Sequence, residues 1–334
     1  MEASPIIALT QGDPAGIGPE IIVKAYSMAP LIEESRTLVI GSADCLKLAR
    51  RQVGVSVPIS VVAEPEDVPE QSGGIVVIEP VELVASKIAQ GTSSALCGQA
   101  AVQYFEAAVN WCLAGRLSGV VTCPINKEAV QMAGYHEDIG HQEILARMTG
   151  ASLTATMLMT PGLKVAHLST HKSLAQAVAY VRREVIVDKL LLTHSSLESW
   201  GMFKPRIAVA ALNPHGGEGG MLGREEIEEI APAVLECQSR GLDIVGPYPS
   251  DSVFYRATKG EFDAVLALYH DQGHIAIKVH NFELSVTATM GIPFVRTSVD
   301  HGTAFDIVGQ NLANANGLVE AVSTAILMLN QSLT

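Results

Sequence analysis

The stretch Arg206-Ile207-Ala208-Val209-Ala210-Ala211-Leu212-Asn213-Pro214-His215-Gly216-Gly217-Glu218-Gly219-Gly220 sets the expected fold of this chain. A run of small and β-branched residues gives way to Asn-Pro and then to glycines. The run, 206–211, reads as a buried strand and the rest as a loop at its carboxyl end. The pattern recurs on either side. Lys164–Leu168 is followed by Ser169-Thr170-His171, and Ala264–Tyr269 by His270-Asp271-Gln272-Gly273-His274. Ile6–Thr10, Thr37–Ile40, Ile75–Ile78 and Gly119–Thr122 are further strand candidates. Pro19–Met28, Ala95–Ala114, Gln142–Met148, Glu184–Trp200, Arg224–Ser239 and Leu318–Leu329 read as helices. Such alternation predicts an α/β protein with a largely parallel sheet covered by helices.

A length of 334 residues exceeds what one core usually organises, so two lobes are expected. All ten histidines lie after residue 130, which makes the middle of the chain the chemical lobe. The expected division is 1–125 with 300–334 as the first lobe and 126–299 as the second. The formal net charge of −13 does not suit nucleic acid or an anionic membrane, so an anionic ligand needs a local positive site. Five cysteines without a CxxC pair suit buried thiols in a reducing compartment. The N-terminus has no basic and apolar signal pattern, and no uncharged apolar run reaches spanning length. A soluble, cytoplasmic protein is the expectation.

Several segments carry candidate chemistry. Gln11-Gly12-Asp13-Pro14-Ala15-Gly16-Ile17-Gly18-Pro19-Glu20 follows a strand and opens a helix. Free amides at a helix start bind anions, and the glycines admit a ligand close to backbone. The plain alternative is a Gly/Pro strand-to-helix turn, since neither GxGxxG nor a Walker loop is present. Gly140-His141-Gln142-Glu143 offers an imidazole and an amide where a helix begins. His171, His215 and His270 each follow a strand, and open α/β sheets bind ligands outside the carboxyl ends of strands. Together they could hold one divalent ion with positions left for substrate and water; separately they are ordinary polar strand ends. His270 and His274 also match a zinc-protease spacing, but Asp271 replaces the catalytic Glu. Gly273 disfavours a helix, so His274 is expected in a turn and not as a ligand. Pro247-Tyr248-Pro249-Ser250-Asp251 places a carboxylate in a constrained loop. Arg296-Thr297-Ser298-Val299-Asp300-His301 follows the apolar Gly291–Val295 and supplies a fork for carboxylate or phosphate.

These segments in this order closely resemble the 4-hydroxythreonine-4-phosphate dehydrogenase (PdxA) family. The shared stretches are GDPAGIGPE, GHQE, the STH strand end, NPHGGE, PSDSVF, YHDQG with Lys278, and RTSVDHGTA, from about residue 6 to 330. The resemblance implies two α/β/α lobes with a cleft, as in the isocitrate and isopropylmalate dehydrogenases. It implies a homodimer with shared active sites, and NAD held without a GxGxxG fingerprint, for which Gly12, Asp13 and Gly16 are the expected contacts. It implies a metal on His171, His215 and His270, with zinc foremost and cobalt, manganese or magnesium as alternatives. Asp251 and Asp271 would stand beside the metal in the catalytic group. Substrate contacts would be His141, Gln142, Lys278, Thr287 and Arg296, with Lys278 either base or phosphate anchor.

Three departures bear on the substrate. Gln142 stands where the vitamin B6 enzymes carry Thr, Thr287 where they carry Asn, and Gly273–Lys278 replaces Gly-Leu-Pro-Val-Leu-Lys. His274-Ile275 looks more like the catabolic branch acting on 4-phospho-D-threonate and 4-phospho-D-erythronate. The expected reaction is oxidation and decarboxylation of such a phosphorylated 3-hydroxy acid. The alternatives are 4-phosphohydroxy-L-threonine as substrate, in pyridoxal phosphate synthesis, and a non-catalytic binder of metal or phosphate ligands.

Overall fold

Runs of β-branched residues between turn signals form the strands, and the first half of the chain alternates them with helices. The computed structural model describes residues 5–28, 36–70, 73–138 and 140–333. The chain first forms strands Ile6–Thr10 (β1), Arg36–Ile40 (β2), Ile59–Val61 (β3), Ile75–Ile78 (β4) and Gly119–Thr122 (β5). Helices Gly18–Ser27 (α1), Ala43–Val53 (α2), Ala95–Leu113 (α3), Lys127–Met132 (α4) and His141–Thr149 (α5) accompany them. Next come strands Ala155–Thr160 (β6), Leu163–His167 (β7), Ile207–Ala210 (β8), Ile244–Tyr248 (β9), Ala264–Ala267 (β10) and Val286–Met290 (β11). Their helices are Leu174–Tyr180 (α6), Arg183–Ser199 (α7), Ala231–Ser239 (α8), Ser250–Thr258 (α9) and His270–His280 (α10). Strand Val295–Val299 (β12) and helix Asn316–Leu329 (α11) follow.

Two compact units result: Met1–Thr154 with Ile292–Leu329, and Ala155–Gly291 with Asn330–Thr334. The division therefore falls later than residue 125 and earlier than residue 300. The cause is packing: α4 and α5 lie against α3, and β12 pairs with β5.

In the first unit the strands run β3-β4-β2-β1-β5-β12, every pair parallel. Leu38, Ile40, Val76, Ile78 and Val120 pack with Tyr104, Phe105 and Val109 of α3 into its core. In the second unit the order is β11-β6-β7-β10-β8-β9. Here β7, β10, β8 and β9 are parallel, while β6 is antiparallel to both neighbours. Thr160 pairs with Leu163 across Pro161-Gly162, and Gly162 takes φ +82°, so a tight hairpin reverses the chain without a crossover helix.

Three local expectations need correction. His270–His280 is a helix, so His274 is not in a turn. Gly273 is there because α10 lies close on β7: a Cβ would come 2.3 Å from His167 Nε2. That contact requires glycine despite its helix cost of about 1 kcal/mol. Asp251 sits in the first turn of α9, not in a loop, because the loop ends at Pro249, the N-cap of that helix. Arg296 to Val299 are inside β12 rather than beyond a strand, held there by parallel pairing with β5.

Candidate active site

In the second unit β10 lies between β7 and β8, all three parallel, so their carboxyl ends share one edge. His171, His215 and His270 each follow one of these ends by a few residues. Gln272 ties the edge together. Its Oε1 accepts from Leu268 N at 2.7 Å, and its Nε2 donates to Ala211 O at 2.8 Å and Ser250 Oγ at 2.9 Å. Ser169 Oγ donates to Leu268 O at 3.0 Å. The first turns of α9 and α10, with Asp251 and Asp271, are thereby fixed beside the strand ends.

His215 lies on an unusual turn. From His215 to Gly220 six successive residues have positive φ: 53°, 69°, 81°, 47°, 65° and 98°. Four are glycines, for which this costs little. His215 and Glu218 are not, and left-handed backbone costs an L-residue roughly 1–2 kcal/mol.

His270 Nδ1 donates to Asp271 Oδ1, 2.6 Å away. Its ring stacks on His274 with centroids 3.6 Å apart and planes 11° apart, and His274 in turn lies 4.7 Å from the His167 ring. Burial first, then the neighbouring imidazoles, drives the His167 pKa down to about 3, so this ring is neutral. The sequence reading missed His167 and misplaced His274. The signal was present: His274 is one helical turn after His270, and His167 closes β7. Among the described residues no group of three His, Cys, Asp or Glu stands gathered to hold a metal ion. The imidazole donor set suits a borderline divalent ion, and the strand ends bring the three backbones to one edge. Lys278 projects from α10 with Nζ 5.0 Å from the Phe282 ring centroid, and half-buried Thr287 lies in β11 opposite Leu158.

The first unit carries the other predicted residues. Arg296 is 5% exposed, and its guanidinium donates to Thr122 Oγ1 at 2.6 Å. Burial lowers its pKa to about 10, while leaving it a cation at neutral pH. His141 opens α5, and its Nε2 is shut from solvent with no hydrogen-bond partner. Burial, and secondarily the Arg296 charge, holds its pKa well below the usual 6.5. Phe105 meets it edge-on at 4.5 Å. A neutral imidazole and a buried cation thus act on one another, with Gln142 half-buried in the next position.

The segment 11–20 is buried throughout. Several of its amides are occupied: Asp13 N donates to Pro124 O, Gly16 N to Asp13 O and Ile17 N to Thr303 O. A Cβ on Gly12 would come 2.2 Å from Pro124 O, so this glycine admits the chain itself. Asp13 is fully buried; Oδ1 accepts from Ala15 N at 2.8 Å and Oδ2 has no partner. This geometry describes a packed turn at Gly12, Asp13 and Gly16.

A chain of this build, with charged and imidazole groups at strand ends, is matched throughout its length by oxidoreductases. A D-threonate 4-phosphate dehydrogenase of Cupriavidus necator is 42% identical over 319 residues, covering 95% of each chain. A 4-hydroxythreonine-4-phosphate dehydrogenase of Beijerinckia indica is also 42% identical, over 96% of this chain and 94% of its own. The crystal structure of a 4-hydroxythreonine-4-phosphate dehydrogenase from Burkholderia phymatum superposes with a TM-score of 0.86 at 38% identity, covering 97% of this chain and 98% of that one. The class is therefore dehydrogenase, with the mixed α/β fold of that group. The chain belongs to the PdxA family, described as pyridoxal phosphate biosynthetic protein PdxA, whose sequence pattern matches residues 33–325.

Proposed function

We propose that this dehydrogenase oxidises a small 3-hydroxy acid bearing a C4 phosphate, using NAD and a divalent cation, and that decarboxylation follows. The observation that carries this reading is the row β7-β10-β8, three neighbouring parallel strands each followed by a histidine. His171, His215 and His270 would hold the ion, zinc foremost. When bound, it would supply Lewis-acid stabilisation of negative charge at the substrate's C3 oxygen.

The chain's own side chains do the rest. Arg296 is a buried cation of the kind that phosphate and carboxylate recognition uses. His141, held neutral, can donate or accept one hydrogen bond to the ligand without adding charge. The departures at Gln142 and at Thr287 are the ones we read as retuning recognition of the C2 substituent. Lys278 takes the C3 hydroxyl proton or anchors phosphate, with Asp251 and Asp271 in supporting roles. The hydride of C3 passes to NAD, giving a 3-oxo acid. Its carboxylate is then β to a carbonyl, so CO2 leaves and C2 takes up a proton. From 4-phospho-D-threonate the product is dihydroxyacetone phosphate.

We read 4-phospho-D-threonate or 4-phospho-D-erythronate as the substrate, on the departures at Gln142, Thr287 and His274-Ile275 and the likeness to the Cupriavidus enzyme. The second reading, 4-phosphohydroxy-L-threonine, rests on equal identity to the Beijerinckia enzyme. A homodimer is supported by an apolar patch on α10 and just past its end: Ile275, Val279 and Phe282 are 60%, 82% and 67% exposed. All five thiols are free and buried, which suits the cytoplasm.

The test is kcat/KM for the three phosphorylated acids with NAD and Zn²⁺ or Co²⁺. One hydrogen bond gained or lost at C2 changes the barrier by about 1–3 kcal/mol, so a preference of roughly tenfold or more for a hydroxy acid is expected. Preference for the amino acid would transfer the chain to the second reading. No NADH with any of them would leave only a binding protein.

A further inference from the structure

We propose that Glu226 is the positioning residue that holds the His215 turn in register, an inference that rests on the assignment of His215 as a ligand above. The turn from His215 to Gly220 is left-handed throughout and includes two non-glycine residues, so its conformation has to be imposed by its surroundings. Glu226 is 4% exposed and reaches into the turn. Its Oε1 accepts from Leu212 N at 2.8 Å and from Asn213 N at 2.7 Å, the two amides that lead into the turn. Its Oε2 accepts from Asn213 Nδ2 at 2.8 Å. The same Asn213 Nδ2 donates to Glu225 Oε2 at 2.7 Å.

The glycines around this carboxyl group show how closely the turn is wrapped on it. A Cβ on Gly217 would come 2.8 Å from Glu226 Oε2, and one on Gly223 would come 2.4 Å from Asn213 Nδ2. Glu226 is also the first residue of a π-helical turn, Glu226–Ile230, that runs into α8. Such turns recur at functional sites because the extra residue re-aims side chains. Here the π turn presents one carboxyl group to three N–H donors at the base of the His215 turn. Nothing in the proposed chemistry uses Glu226, and it touches neither metal nor substrate in that reading. Its role is to fix where the His215 imidazole begins.

The experiment compares Glu226→Ala, Glu226→Gln and His215→Ala with the parent protein. Each is titrated with Co²⁺ alone, read by visible absorption. Hydrogen exchange of residues 211–223 and the Tm are measured on the same samples. Glu226→Gln keeps an oxygen for the two backbone amides but sets an NH2 against Asn213 Nδ2, so it should weaken Co²⁺ roughly tenfold. Glu226→Ala loses all three bonds and should weaken it further, with exchange quickened from Leu212 onward. Co²⁺ affinity and spectrum equal to the parent's in folded Glu226→Gln, while His215→Ala loses the ion, would overturn the role of Glu226. Should Glu226→Ala fail to fold, the Gln variant alone decides. Unchanged Co²⁺ binding in His215→Ala would instead remove the ligand assignment itself.

Discussion

Asp13 offers a sharp test of the buried segment that opens the chain, because its geometry and its expected cofactor role make opposite demands. The perturbation is Asp13→Asn. Burial raises the Asp13 pKa from 3.8 to about 6, and the Ala15 amide offsets only part of that. A carboxyl whose folded pKa exceeds its unfolded value binds its proton more tightly in the fold. Its contribution to stability is therefore full below pH 3.8 and is lost as pH rises through about 6. A shift of roughly two units corresponds to about 3 kcal/mol of penalty at neutral pH, at about 1.4 kcal/mol per unit. Asn carries no such charge, and its Oδ1 can still accept from Ala15 N. The variant should thus be more stable than its parent by about 1–3 kcal/mol at pH 7.5, with the gain vanishing near pH 4. Urea unfolding at both pH values measures it, and NAD affinity is measured alongside. A variant less stable than the parent at pH 7.5 would refute the desolvation penalty, whereas an NAD Kd that rises tenfold would make Asp13 a cofactor contact.

Arg296→Lys keeps a charge but loses the fork and the bond to Thr122. It should lower kcat/KM for the phosphorylated acid by tenfold or more, at about 1.5–3 kcal/mol per charge-assisted bond, while a dephosphorylated analogue changes less. Equal losses on both would show that Arg296 does not meet the phosphate. In the parent protein, removal of the substrate phosphate should itself cost several kcal/mol of transition-state stabilisation; equal kcat/KM for both acids would end the anchor reading. Gly273→Ala improves helix propensity by about 1 kcal/mol yet drives a methyl into His167, so the net effect should be a lower Tm, with overpacking at about 1–3 kcal/mol. A raised Tm would mean that α10 does not sit tightly on β7.

Much of the architecture is legible along the chain because buried parallel strands must be continuous apolar runs, and Ile6–Thr10, Ile75–Ile78 and Gly119–Thr122 are strands with those bounds. The polar strand ends are equally legible, since Asn-Pro-His-Gly-Gly and Tyr-His-Asp-Gln-Gly interrupt such runs. Composition could not reveal β6 and β11, whose antiparallel pairing depends on partners distant in sequence. Nor could it show that β10 lies between β7 and β8, which sets the strands that precede His171, His215 and His270 side by side. Gly273 reads locally as a helix breaker, yet contact with His167 makes it the residue that lets the helix pack. The GDPAGIGPE turn reads locally as an anion cradle, and only the folded chain shows that the Asp13, Gly16 and Ile17 amides bond to the Pro124, Asp13 and Thr303 carbonyls. Local sequence fixes which residues prefer strand, helix or turn. Which donors are occupied, which charges are desolvated and which rings touch depends on contacts across long sequence separations, and only the tertiary structure supplies those.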